Sequence, residues 1–167
     1  KFVYAKRTLG TQMKATGEVM AIAPCFEAGL LKAVRGALGM NTLENPHYSS
    51  LSDAEIESML MPATDYRLFI LYEAIKRGIS IERIADITKI DAWFLHKIKN
   101  LVDYEKSVAN RAITKAEYMR GKKLGYPDVA LERITGNKLP MHRKAVFKTV
   151  DTCAAEFKAE TPYFYST

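Results

Sequence analysis

Apolar residues recur along most of this chain at helical spacing, in short stripes separated by brief polar punctuation. Between Pro24 and Leu38 the positions Phe26, Leu30, Ala33, Val34, Ala37 and Leu38 fall at intervals of three and four, which predicts one buried stripe on a helix. Pro24 suits its first turn and Gly39 its stop. From Asn41 to Ser50 the periodicity fades among Asn, Pro and Ser, so the stretch reads as a loop.

Ser52 and Glu55 have the spacing of a capping box and predict a helix over 53–61, ended by Pro62. Residues 65–77 are apolar around most of a helical circumference, which places that helix at the centre of the core. Gly78 stops it, and Ser80 caps a short helix over 81–87. Asp91 caps the longest helix, 92–109, with Phe94, Ile98, Leu101, Val102 and Val108 expected inward and His96, Lys97, Lys99, Asp103 and Lys106 in water. Thr114 with Glu117 repeats the capping box for a helix over 115–123, and Pro127 opens another over 128–134 that Gly136 closes. A last helical turn or two is expected over 141–146. Beyond it Val150, Thr152, Cys153, Phe157, Tyr163 and Tyr165 form a β-branched and aromatic tail that reads as extended. The expected fold class is all-α: a compact domain of about seven short helices with extended N- and C-terminal flanks.

At 167 residues, with 48% hydrophobic and 26% charged residues, the chain suits one globular domain with a sizeable core. No apolar run approaches the roughly 20 residues needed to cross a bilayer, and no segment reads as a signal peptide. A cytoplasmic protein without a membrane partner is therefore expected. Cys25 and Cys153 stand far apart with no CxxC, so reduced, buried thiols are expected and not a disulfide or zinc framework. The net charge of +6 arises from 25 basic residues scattered among 19 acidic ones, with no block that calls for a polyanion. The start at Lys1 without Met and the aromatic cluster Tyr163, Phe164 and Tyr165 just before Thr167 are what a piece of a larger protein would show.

Residues for catalysis are sparse. His47, His96 and His142 lie far apart without Cys or carboxylate partners at metal-ligand spacing, and no GxxxxGK[ST], GxGxxG or GxSxG run is present. No catalytic, cofactor-binding or metal-binding residue is expected here. The seven methionines read as core or interface filling, and Trp93 with Phe94 as packing at the start of a helix. Ser80 to Leu95, SIERIADITKIDAWFL, has the layout of a helix-turn-helix, the alternative reading being a nucleic-acid-binding domain. Its second helix, however, opens with Asp91, Ala92, Trp93, Phe94 and Leu95 where a base-reading helix needs Arg, Asn, Gln or Ser. An αα-corner packing inward, with no nucleic acid, is the expected role.

Three runs carry a resemblance. LGTQMKATGEVMAI at 9–22 resembles the end of the first ATP-grasp unit of carbamoyl phosphate synthetase large subunits. TKIDAWFL at 88–95 is similar to the T-x-I-D-x-W-F-L run of that family's middle domain, and VDTCAAEFKAETPYFYST at 150–167 to the segment leading into the second half. The runs keep the family's order across essentially the whole chain. Ala15 stands where Ser is common, and the stretch 40–62 matches poorly.

The resemblance implies three parts: 1–22 as the end of the first ATP-grasp unit, 23–146 as the helical oligomerisation domain, and 147–167 as a connector. It implies a full-length, glutamine-hydrolysing, ATP-dependent ligase making carbamoyl phosphate from bicarbonate, glutamine-derived ammonia and two ATP, for arginine and pyrimidine biosynthesis. ATP and Mg or Mn would act outside this chain, none in it. The implied partners are other copies, the flanking ATP-grasp halves and a glutaminase small subunit. As oligomer contacts the sequence offers Leu51, Ile56, Met59, Leu60 and Met61. If Ile56, Met59 and Leu60 share an inward face, Met61 and Leu51 are left outside; the reverse assignment is equally open. Met13 reads either as a buried methionine or, through the resemblance, as a neighbour of an internal passage.

Overall fold

The computed structural model describes residues 4–166; residues 1–3 and Thr167, the outermost positions of the two flanks, lie outside the described residues. Among the described residues eight helices follow one another: α1 Phe26–Leu38, α2 Pro46–Ser49, α3 Asp53–Leu60, α4 Arg67–Arg77, α5 Ile81–Thr88, α6 Ala92–Val108, α7 Lys115–Lys123 and α8 Asp128–Thr135. Two three-residue strands, β1 Phe147–Thr149 and β2 Phe164–Ser166, pair antiparallel with Phe147 opposite Ser166. The all-α expectation holds; the tail, expected to be extended, forms strands only at 147–149 and 164–166, and between them 152–157 bends and turns, with Ala154 and Ala155 left-handed.

Helix starts are set by side chains that satisfy otherwise unpaired backbone N–H groups. Ser52 with Glu55 and Thr114 with Glu117 both close reciprocal capping boxes. Ser80 accepts from the Arg83 N–H, and Asp91 from the Trp93 N–H. At the other ends Gly39, Gly78 and Gly136 adopt the left-handed conformation that ends a helix without a steric penalty.

The core forms around α4, whose residues Phe69 to Ile75 are all buried. This helix lies against α3 and α6, and α6 in turn against α1, α5 and α8. Ile70, Ile84, Leu95, Leu101, Val108, Ile56 and Leu60 are completely or almost completely excluded from solvent. Arg77 at the end of α4 ties the irregular stretch before α3 to the core. Its guanidinium donates to the carbonyls of Tyr48, Ser49 and Leu51 and to the carboxylates of Glu73 and Asp53. The N-terminal flank is pinned just before the start of α4, where Arg7 pairs with Asp65 at 2.7 Å and Thr8 bridges Thr64.

The structure departs from the sequence reading at several places. The presumed loop contains α2, started by Pro46 and by the Asn45 side chain, which accepts from the His47 N–H. No helix forms over 141–146; there the His142 ring meets Asp128, and the Arg143 N–H donates to the Tyr118 hydroxyl, drawing the segment out along α7 and α8. In α1 the buried face is Glu27, Ala28, Leu31 and Val34, while Ala37 and Leu38 are exposed. The expected stripe was therefore rotated by about one residue. That shift follows from a buried polar residue, Glu27, which periodicity of apolar side chains alone does not register. Cys25 and Cys153 are free, as expected, but half-buried instead of buried.

Candidate association surface

Asp91 fixes where α6 begins: its carboxylate accepts from the Trp93 N–H at 2.7 Å. Successive helical residues turn by about 100°, so of three consecutive apolar residues only one can point inward. Leu95 takes the inner position with no exposure, in line with Ile98, Val102 and Glu105. Trp93 and Phe94 are turned outward, 51% and 44% exposed. This corrects the expectation that Phe94 lies on the core stripe and that the pair packs inward. One apolar residue too many opens the helix, and Leu95 wins the inner place.

The two outward rings meet a third, Phe26, at the start of α1. Phe26 lies 5.5 Å from Trp93 and 5.4 Å from Phe94, and Trp93 lies 5.0 Å from Phe94, all edge to face. Beside Phe26 an open depression lies between the segment before α1 and α1 itself, lined by Ala21, Ala23, Pro24, Gly29 and Leu30. Lys97, one turn beyond Trp93, holds its ammonium 5.0 Å from the indole centroid and 3.6 Å from Glu27. Burial pushes the Glu27 carboxyl up, but the Asn100 amide, donating at 2.8 Å, its own backbone and Lys97 outweigh it, leaving it below the usual range. Lys97 is thus half-buried and engaged, not simply wet.

The five contact candidates on and around α3 divide differently. Ile56 and Leu60 have no exposure, and Leu51 and Met59 are half-buried against the core. Met61 alone of the five is largely exposed, at 72%. Met13 is as exposed as Met61, so it is not the buried methionine of the simpler reading.

His47, His96 and His142 are all exposed, and His142 pairs with Asp128 at 3.0 Å. Among the described residues no group of three or more His, Cys, Asp or Glu could hold a metal, and no helix is long and apolar enough to cross a membrane. Mg-ATP needs several carboxylate oxygens and a phosphate cradle; the described residues gather no group of three or more His, Cys, Asp or Glu for the metal. The acidic and aromatic front of α6 likewise gives no support to base reading.

Charge is unevenly spread. Residues 111–148 contain ten Lys or Arg against three Asp or Glu, a net of +7, so the rest of the chain stands at −1. Sequence scanning of the whole chain saw scattered charge and missed this asymmetry, which a windowed count finds.

Fold and surface together define a small helical module that carries an exposed aromatic cluster. A family model described as carbamoyl-phosphate synthetase large chain, oligomerisation domain, matches residues 18–149, and the chain belongs to that family. It is 46% identical to the carbamoyl phosphate synthase large chain of Lachnoclostridium phytofermentans, with 99% of this chain covered. Its identity to the large chains of Agathobacter rectalis and Methanosarcina barkeri is 42% and 41%, over 99% and 100% of this chain. The chain spans only 16% of the length of these relatives.

Proposed function

We propose that this chain is the scaffold and self-association domain of a carbamoyl phosphate synthase large chain. The match of residues 18–149 to an oligomerisation domain carries this reading. A rigid helical core supports it: α4 is buried along nearly its whole length and Arg77 locks the adjoining irregular segment. A spacer between two catalytic units needs that rigidity if their sites are to keep a fixed relation.

On this reading residues 1–22 end a first ATP-grasp unit and residues 147–167 lead toward a second, with this chain adding no catalytic group. The full-length cytoplasmic enzyme would use ATP with Mg or Mn to join bicarbonate and ammonia, the ammonia coming from a glutaminase small subunit. Met13, exposed on the N-terminal flank, would sit close to the passage between the active sites.

Calorimetric titration of the 167-residue chain with Mg-ATP tests the division of labour. No measurable heat of binding is expected. A dissociation constant in the micromolar range would place a nucleotide site inside the chain and overturn the reading.

A further inference from the structure

We propose that Asp128, at the start of α8, latches the segment leading from α8 into β1 onto the helical body, so that the chain beyond Arg143 pivots about a point this carboxylate sets. Both of its oxygens are engaged. Oδ1 accepts from the Tyr118 hydroxyl at 3.0 Å and from the Lys122 ammonium at 2.8 Å, and Oδ2 faces Nδ1 of His142 at 3.0 Å. The Tyr118 hydroxyl in turn accepts from the Arg143 backbone N–H at 3.0 Å. Two successive residues of the segment are thus gripped, one by its ring and one by its backbone. The platform beneath them is fixed, because Tyr118 has no exposure and packs within the core.

Up to this point burial holds the segment: Leu139 is enclosed and Met141 packs partly against the core. Past it, residues 143–149 are exposed, and among the described residues the hydrogen bonds made beyond Arg143 stay within 147–166. Charge shows why a carboxylate is needed. The last turn of α7 carries Arg120, Lys122 and Lys123, and the segment brings Arg143 and Lys144 beside it, so Asp128 is the counter-charge between two basic runs that would otherwise repel. Burial pushes its carboxyl up, but Lys122, His142 and Tyr118 outweigh that and hold it below the usual range. A carboxylate in the first turn of α8 also suits the positive end of the helix dipole, yet that role uses neither Tyr118 nor His142. On the function proposed above, residues 147–167 lead toward a second unit and the latch sets the direction in which that unit leaves; this use rests on that reading, whereas the latch does not.

Amide hydrogen exchange of the 167-residue chain, resolved by NMR, tests the latch. Tyr118→Phe is the principal variant, because it removes one hydroxyl and keeps the enclosed ring. It is expected to speed exchange at the Arg143 amide about three- to tenfold, the range for one lost hydrogen bond, while the amides of α4 and α6 keep their wild-type rates. Asp128→Ala should also speed exchange at Arg143, and its effect on α4 and α6 should again be absent. Backbone relaxation should show the rigid body ending at Arg143 in the wild type and at Leu139 in either variant. Unchanged exchange at Arg143 in Tyr118→Phe, or a rise shared equally by α4 and α6, overturns the latch. A micromolar Mg-ATP site in the titration above, found with Arg143 still responding to Tyr118→Phe, overturns the proposed function and leaves the latch in place.

Discussion

Tyr126 places its hydroxyl 2.6 Å from Oε1 of Glu105, and Tyr72 donates to the other oxygen of the same carboxylate. Glu105 lies on the inner face of α6, 9% exposed. The arrangement couples α6, α4 and the turn before α8 through one buried carboxylate.

Burial raises the Glu105 carboxyl above its ordinary value, the two tyrosine hydrogen bonds offsetting only part of the effect. The folded protein therefore holds this proton more tightly than the unfolded chain. Stability from this group is full below the unfolded value of 4.5 and falls as pH rises through the raised folded value. Subtracting the pH profile of Glu105→Gln from that of the wild type, by urea melts, should leave a curve that declines with pH across this window. A flat or rising difference would contradict the account.

The front of α6 offers a sharper comparison between neighbouring residues. Leu95→Ala is expected to cost about 2 to 5 kcal/mol, because it empties a fully enclosed site. Phe94→Ala, outside the core, should cost about 1 kcal/mol or less. Urea denaturation that ranked the two the other way would refute the facing of the helix described above.

Two helical glycines should respond oppositely to Ala. At Gly121 an added Cβ would lie 2.2 Å from the Tyr104 hydroxyl oxygen and 2.9 Å from Leu131 Cδ2, and Tyr104 is buried and bonded to the Glu117 carbonyl. Gly121→Ala should therefore destabilise by about 1 to 3 kcal/mol through overpacking. At Gly36 the added Cβ meets only Val19, at an ordinary 3.7 Å, so Gly36→Ala should stabilise α1 by about 0.5 to 1 kcal/mol. Thermal melts of the two variants decide both.

Much of this fold was legible in the sequence because its helix boundaries are written in side chains that act locally. Ser52, Ser80, Asp91 and Thr114 cap their own helices, and Gly39, Gly78 and Gly136 end theirs, so these boundaries fell within a residue or two. What depends on distant partners was not legible. Phe94 and Leu95 are equally apolar, and only the neighbouring α1 and α5 determine which one is enclosed. Glu27 is buried because Asn100 and Lys97, some seventy residues away in sequence, come to meet it. The aromatic cluster was missed for the same reason: Phe26 and Trp93 are joined by the packing of α1 on α6, and no spacing rule connects them.

The central claim is that this domain brings chains together through apolar contact. Light scattering after size exclusion, run at low and at high salt over a range of loading concentrations, tests it most directly. Burial of aromatic surface weakens little with ionic strength, whereas association through the basic stretch 111–148 would be screened. The account predicts a mass above that of one 18.8 kDa chain at high micromolar concentration, unchanged by salt. A monomer under every condition, or an oligomer that dissolves as salt rises, would contradict it.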